Sequence, residues 1–94
     1  MDRSDYEQFS KDAVIVNELG LHARSAAKIA EIARTAKSKI WIIRDGEKAD
    51  AASIIDMLTL ACSKGTTVKI AADYPADIEI LNRIKALIQN GFGE

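Results

Sequence analysis

The chain has 94 residues, of which 48% are hydrophobic and 29% are charged, a composition typical of one globular domain. Its 13 basic and 14 acidic residues are interspersed and give a formal net charge of −1. Because no basic block could neutralise a row of phosphates, the charge pattern argues against a nucleic-acid partner. A domain of this size buries only roughly 60–65% of its unfolded surface, which argues against a deep, enclosed active site.

The beginning of the chain lacks the features of a signal peptide. Residues 1–11 are mostly polar and acidic, whereas a signal peptide needs a cationic start followed by an apolar stretch. No apolar run approaches the roughly 20 residues that span a bilayer, and the single cysteine, Cys62, cannot form an intramolecular disulfide. We therefore expect a cytoplasmic protein with no membrane insertion. Residues 1–11 are predicted to form a flexible arm, and residues 12–94 a single domain.

The first half of the chain is predicted to form a strand, a helix and a hairpin. Residues 13–17 are mostly apolar and β-branched, which is typical of a buried strand. From residue 22 to about residue 36, apolar residues recur at helical spacing, which predicts an amphipathic helix with an alanine-rich face. Residues 39–44 are predicted to form the next strand, and the turn signal Asp45-Gly46 leads into a third strand over residues 47–51.

The second half contributes two more helices and one strand. Residues 53–61 are predicted to form a short helix, and residues 66–72 a fourth strand. Apolar residues then mark one face of a helix that runs from about residue 76 to residue 89. The order β-α-β-β-α-β-α, with hairpins and few long crossovers, predicts an α+β open-faced sandwich. Such a fold has a four-stranded antiparallel sheet with three helices on one face.

The segment Gly20-Leu21-His22-Ala23-Arg24 joins the first strand to the first helix and carries the only histidine of the chain. A helix N-terminus presents free backbone N–H groups and the positive end of the helix dipole, so it would stabilise a phosphoryl group on His22. The imidazole ring supplies the nucleophile for such chemistry. Gly20 provides the backbone freedom that a tight turn into the helix needs. The alternative is that His22 is an ordinary surface histidine on a loop.

Arg24 is unusual, because a cation in the first turn of a helix opposes the dipole by roughly 0.3–1 kcal/mol. Bidentate contacts between its guanidinium and phosphate oxygens would offset this effect. No second carboxylate, metal-ligand cluster or glycine-rich nucleotide loop accompanies the histidine in the sequence. The pattern therefore favours a covalent phosphoryl carrier over a free-standing enzyme, and it predicts no metal and no cofactor.

Residues 20–24 resemble the active-site signature of the HPr family, the phosphocarriers of the phosphoenolpyruvate-dependent phosphotransferase system. Residues 53–65 resemble the second helix of that family, and the spacing from His22 to Ser53 is the one that the family keeps. The resemblance extends over residues 12 to about 92. It implies that enzyme I phosphorylates His22 at Nδ1, ultimately from phosphoenolpyruvate, and that the phosphoryl group passes to EIIA-type domains.

The resemblance also implies roles for other residues. Arg24 would stabilise the phosphoryl group, and we expect a monomer that serves sugar uptake or its regulation. A partner-docking patch beside His22 would consist of small and apolar residues: Ala23, Ala27, Ile54, Ile55 and Leu58. The short helix is apolar on more than one side, so part of it should be exposed, although core packing is the alternative for any single residue.

Ser53 has two interpretations. In many HPr proteins the residue at this position is phosphorylated by an ATP-dependent enzyme, so the resemblance implies regulation by an HPr kinase/phosphorylase. The pattern Ser53-Ile-Ile-Asp56 is also a capping box, in which the serine simply caps the helix. The sequence leaves both interpretations open.

Three departures from the family pattern limit what the resemblance implies. Ser25 stands where most members carry proline, and the N–H that it restores should be tolerated in the first turn. Glu31 and Asp56 stand where sugar-transport members often carry lysine or glycine on the face that meets enzyme I. Residues 90–94 resemble the tail of the nitrogen-related branch of the family. The alternative function is a regulatory interaction module of that branch, acting through helix 53–61, although the histidine and the arginine argue against a module without phosphotransfer.

Overall fold

The computed structural model describes residues 9–94, which form a sheet with helices packed on it. The strands are β1 (Ser10–Val14), β2 (Ile40–Arg44), β3 (Glu47–Asp50) and β4 (Thr67–Ala72). The helices are α1 (Ala23–Ala33), α2 (Ile54–Leu58) and α3 (Ile78–Gln89), with short 3₁₀ turns at Pro75–Asp77 and Gly91–Gly93. The strands pair antiparallel in the order β1-β4-β2-β3. The predicted α+β open-faced sandwich, with four strands and three helices, is therefore confirmed.

The core lies between one face of the sheet and the helices. In the two central strands, Ile70 of β4 stands opposite Ile42 of β2, and both are buried. The same alternation buries Ala13 of β1 opposite Val68 of β4, because side chains two residues apart share a face. Helix α3 covers this face with three fully buried side chains: Leu81, Ile84 and Ile88.

Strand β1 differs from the predicted strand over residues 13–17. It already includes Ser10, and the N–H of Ala72 in β4 donates to the Phe9 carbonyl at 2.9 Å. The end of the predicted flexible arm therefore belongs to the sheet, because backbone pairing at an edge strand does not need apolar side chains. The rest of that predicted arm, residues 1–8, lies outside the described residues.

The helices are shorter than predicted because the residues at one end of each form tighter turns, with hydrogen bonds between residues three apart. Helix α1 ends at Ala33 instead of near residue 36, since the N–H groups of Thr35 and Ala36 bond carbonyls three residues back. Helix α2 is shorter than the predicted 53–61, since residues 59–61 make the same tighter bonds. Helix α3 starts only after a 3₁₀ turn. Within residues 9–94, no helix has both the length and the apolar character that a membrane crossing needs.

Candidate functional site

The connection from β1 to α1 is held against the segment that follows α2. The N–H of Leu21 donates to the carbonyl of Cys62 at 2.8 Å. Gly20 has a φ of +67°, and a Cβ atom at this position would lie 2.6 Å from the same carbonyl oxygen. Both the left-handed backbone and the close approach require glycine here. Gly20, predicted to be a structural turn, therefore sets the point at which α1 begins.

His22 is the N-cap of α1, with an extended backbone and a half-buried side chain. Its ring nitrogen Nδ1 accepts a hydrogen bond from the N–H of Arg24 at 3.3 Å. In return, the N–H of His22 donates to Oγ of Ser25 at 2.9 Å. The imidazole ring therefore faces the first turn of α1 through Nδ1, at the positive end of the helix dipole.

Ser25 is fully buried and bonded on two sides. Its Oγ accepts the N–H of His22 and lies 3.1 Å from the Gly20 carbonyl, to which it can donate. The sequence predicted only that serine would be tolerated at this position, whereas the side chain in fact ties the turn to the helix. The signal for this role is the spacing His22-x-x-Ser25, which is that of a capping box with serine as its third helical residue.

Glu94 contacts the other ring nitrogen of His22, a contact that the sequence did not predict. Its Oε2 lies 2.9 Å from His22 Nε2, and its Oε1 accepts from Nδ2 of Asn17 at 3.0 Å. Asn17 is 7% exposed and also donates to the Gly20 carbonyl. The hydrogen bonds from Asn17 and from His22 lower the pKa of the Glu94 carboxyl, so the group is ionised at neutral pH. No local sequence signal links Glu94 to His22, because 72 positions separate them.

The tail that carries Glu94 is anchored on the core. Phe92 is 1% exposed and has a φ of +60°, which turns the chain back toward the start of α1. The ammonium group of Lys28 in α1 donates to the Phe92 carbonyl. Gly91 packs against Val16, which follows β1. A Cβ atom placed on Gly91 would lie 3.8 Å from a methyl group of Val16. These contacts fix the tail beside His22.

Arg24 gives the start of α1 its positive character. Its side chain is exposed, and within residues 9–94 its guanidinium forms no hydrogen bond or ion pair. The first turn of α1 carries no acidic residue. Among the described residues, no group of three or more His, Cys, Asp or Glu side chains could hold a metal ion. The site is therefore suited to an incoming anion, to which both the N–H groups and the guanidinium can donate.

The residues of the predicted docking patch lie on α1 and α2, which pack against each other. Ala23 is exposed and Ala27 is half-buried, one helical turn apart on α1. On α2, Ile55 is 80% exposed and Leu58 is 38% exposed, as a docking surface requires. Ile54 differs from these two, because its side chain packs partly against the core.

Ser53 is the N-cap of α2. Its Oγ accepts from the N–H of Asp56 at 3.1 Å. The carboxylate of Asp56 turns back and accepts from the N–H of Asp50 at 2.6 Å. Asp56 is therefore engaged within the chain, whereas Glu31 on α1 is exposed. The capping role of Ser53 is confirmed, but the predicted capping box is only half formed, because the Ser53 N–H donates to the Asp50 carbonyl and not to Asp56. Phosphorylation of Ser53 stays a prediction.

Comparison with known proteins gives consistent similarities along almost the whole chain. Residues 9–90 match the family model described as PTS HPr component phosphorylation site. The chain is 40% identical to the phosphocarrier protein HPr of Cupriavidus necator, over 89% of this chain and 94% of that protein. It is 37% identical to the phosphocarrier protein NPr of Klebsiella oxytoca, over 85% of this chain and 90% of that protein.

The fold is similar to that of a solved structure with comparable sequence identity. The crystal structure of HPr from Thermoanaerobacter tengcongensis has a TM-score of 0.84 and 35% sequence identity to this chain. The similarity covers 90% of this chain and 96% of that structure. The order of strands and helices predicted from the sequence is therefore that of a protein with a solved structure.

Proposed function

The chain belongs to the HPr family of phosphocarriers in the phosphotransferase system, and we propose that it carries its phosphoryl group on His22. Members of this family are phosphoryl carriers and not enzymes with a reaction of their own. The observation that carries the proposal is the position of His22 as N-cap of α1, with Nδ1 facing the first-turn N–H of Arg24. The contacts on both ring nitrogens also hold the imidazole in one orientation.

The transfer step uses the lone pair of Nδ1. This lone pair forms a bond to phosphorus while the bond between phosphorus and the donor atom of enzyme I breaks, and the donor atom keeps that electron pair. In the resting protein, the N–H of Arg24 donates to Nδ1. Once Nδ1 is bonded to phosphorus, this N–H is free to donate to a phosphoryl oxygen. The Arg24 guanidinium can add a two-pronged contact to the same group.

Release to the next protein is the reverse of this step. The nucleophile of an EIIA-type acceptor attacks phosphorus, and the electron pair of the N–P bond returns to Nδ1 of His22. Because His22 is at the surface of the domain and not inside a cavity, donor and acceptor can reach it in turn. The exposed side chains of Ile55 and Leu58 offer both partners an apolar contact on α2.

The branch of the phosphotransferase system is the second part of the proposal. HPr and NPr relatives match this chain at 40% and 37% identity, so overall similarity does not separate sugar uptake from nitrogen-related regulation. Glu31 and Asp56 stand where sugar-transport members often carry lysine or glycine, and residues 90–94 resemble the tail of the nitrogen-related branch, which supports that branch as the alternative to sugar uptake. Transfer from the phosphorylated protein to a sugar-type and to a nitrogen-type EIIA domain, measured side by side, decides between them.

The acceptor role of His22 is tested by labelling. We expect the wild-type protein to take label from radioactive phosphoenolpyruvate in the presence of enzyme I, and to lose it in acid as phosphohistidine does. His22→Ala should take no label while keeping the wild-type circular dichroism spectrum, because His22 is not part of the core. Ser53→Ala is the matched control and should be labelled in the same way as wild type. Label that persists in His22→Ala would refute the proposal.

A further inference from the structure

Both oxygens of the Glu94 carboxylate are used in the structure. Oε2 lies 2.9 Å from Nε2 of His22, and Oε1 accepts from the buried amide of Asn17 at 3.0 Å. The side chains of His22 and Glu94 are 29% and 23% exposed, so water has restricted access to the pair. A carboxylate held at both oxygens has a fixed orientation toward the ring.

The two ring nitrogens of His22 have partners of opposite kind. Nδ1 accepts the N–H of Arg24 and so must present its lone pair. Nε2 faces an ionised carboxylate, which can only accept, so Nε2 must carry the proton. Both contacts therefore select the same neutral form of the ring, with its proton on Nε2.

We propose that Glu94 is a positioning residue for phosphoryl transfer, which keeps the proton of His22 on Nε2 and leaves Nδ1 as the nucleophile. This inference rests on the proposed function of His22. When Nδ1 bonds to phosphorus, the proton stays on Nε2 and the ring becomes positively charged. The Glu94 carboxylate lies against that N–H and stabilises the charge, in the way that a carboxylate behind a catalytic histidine does.

The tail holds Glu94 in place for this role. Phe92 is buried in the core, and Lys28 of α1 donates to its carbonyl, so the chain two residues before Glu94 is fixed. Asn17 belongs to the turn that also positions His22, through its bond to the Gly20 carbonyl. The carboxylate and the ring are therefore aligned by the same turn and not by a loose chain end.

Two variants weaken the contact of Glu94 in steps. Glu94→Gln removes the charge and keeps one accepting oxygen, so that it can no longer accept from both Asn17 and Nε2–H, and Glu94→Ala removes both acceptors. The tautomer is measured by ¹⁵N NMR of the unphosphorylated protein at a pH where the imidazole is neutral. We expect Nε2 to carry the proton in wild type and a smaller share of that tautomer in both variants, smallest in Glu94→Ala, where only the 3.3 Å bond from the Arg24 N–H still selects it.

Phosphorylation by enzyme I is measured on the same proteins. We expect both variants to slow transfer about tenfold, as for the loss of a hydrogen bond to a charged group, with Glu94→Ala the slower. Glu79→Gln is the matched control, because Glu79 lies in the first turn of α3, at the opposite end of that helix from the tail. It should change neither the tautomer nor the rate.

Several results would overturn the role of Glu94. A wild-type ring protonated on Nδ1, or an unchanged tautomer and rate in Glu94→Ala, would show that the contact is incidental. Faster transfer in Glu94→Gln would show that the carboxylate obstructs the site. A wild-type protein that takes no label at all would refute the proposed function instead, and the spectra of the unphosphorylated ring would still decide whether Glu94 sets the tautomer.

Discussion

Helices α1 and α2 begin with the same geometry and opposite charge. Both N-cap residues have an extended backbone and accept a first-turn N–H, through Nδ1 of His22 and Oγ of Ser53. The first turn of α2 contains Asp56, which complements the helix dipole. The first turn of α1 contains no acid and carries Arg24 instead. The start of α2 is therefore balanced by an acid of its own first turn, whereas the start of α1 has an anion only in the Glu94 carboxylate, which comes from the other end of the described chain.

This difference distinguishes a structural helix start from a functional one. A capping serine with an acid three residues later stabilises α2 without any partner. A capping histidine followed by an exposed arginine leaves α1 less stable than it could be, at the helix start where we propose that the phosphoryl group binds. The same comparison bears on Ser53, because a phosphate there would meet the negative charge of Asp56 one turn away.

The largest effect is expected for Gly20→Ala, which would break the start of α1. The added Cβ lies 2.6 Å from the Cys62 carbonyl oxygen in a left-handed backbone. We expect a loss of about 3 kcal/mol in the free energy of unfolding, together with slower phosphorylation of His22. Gly46→Ala is the control, since Gly46 also has a positive φ, +83°, but nothing lies within 4 Å of its Cβ position. Equal losses in both variants would mean that the contact with Cys62 is unimportant.

The second prediction tests the difference in charge between the starts of α1 and α2. Arg24→Gln should slow phosphoryl transfer by roughly 10–100-fold, because a charged two-pronged contact is lost. The same change should raise the free energy of unfolding by about 0.3–1 kcal/mol, because a cation is removed from the helix N-terminus. Urea denaturation and transfer rates from enzyme I measure the two effects.

Asp56→Asn is the corresponding variant at the start of α2, where it removes the charge of the first turn. It removes a favourable charge from the first turn of α2, so it should lower stability by about the same 0.3–1 kcal/mol and affect transfer much less. The comparison fails if Arg24→Gln loses stability, or if both variants slow transfer equally. A loss of stability in Arg24→Gln would mean that Arg24 supports the fold, and equal slowing in both variants would mean that the charge difference between the two helix starts does not determine the rate of transfer.

At Ser53 we expect modest effects, on stability in one variant and on transfer in the other. Ser53→Ala loses the bond to the Asp56 N–H and should destabilise the protein by about 1 kcal/mol. Ser53→Asp keeps an acceptor at the N-cap, so thermal unfolding should change little. Its added charge lies next to the α2 docking residues and should slow phosphorylation by enzyme I. If the rate stays at the wild-type value in Ser53→Asp, Ser53 acts only as an N-cap.

The sequence was most informative where the determinants are local. Apolar patterns, together with the turn signal Asp45-Gly46 before the third strand, identified all four strands and all three helices. The site around His22 and Arg24 was recognisable because both residues lie within one turn of the same helix start. The capping function of Ser53 followed from a four-residue pattern.

Features that depend on packing between distant segments were not predictable. The contact of Glu94 with His22 requires Phe92 to be buried and the tail to turn back, and no short pattern encodes that path. The pairing of Ser10 in β1 rests on backbone hydrogen bonds with β4, to which polar side chains give no clue. Helix ends were overestimated because a 3₁₀ turn keeps the same apolar spacing for a few more residues.

The hydrogen bond between Leu21 and Cys62 has a consequence for the speed of the relay. It connects the residue before His22 to Cys62, four residues beyond the end of α2, so the start of α1 is tied to the segment that follows α2. In the proposed relay, a protein that docks on α2 finds the His22 ring already in place, and the carrier needs no rearrangement. The lifetime of each encounter can then be short, and one surface can serve donor and acceptor in rapid alternation.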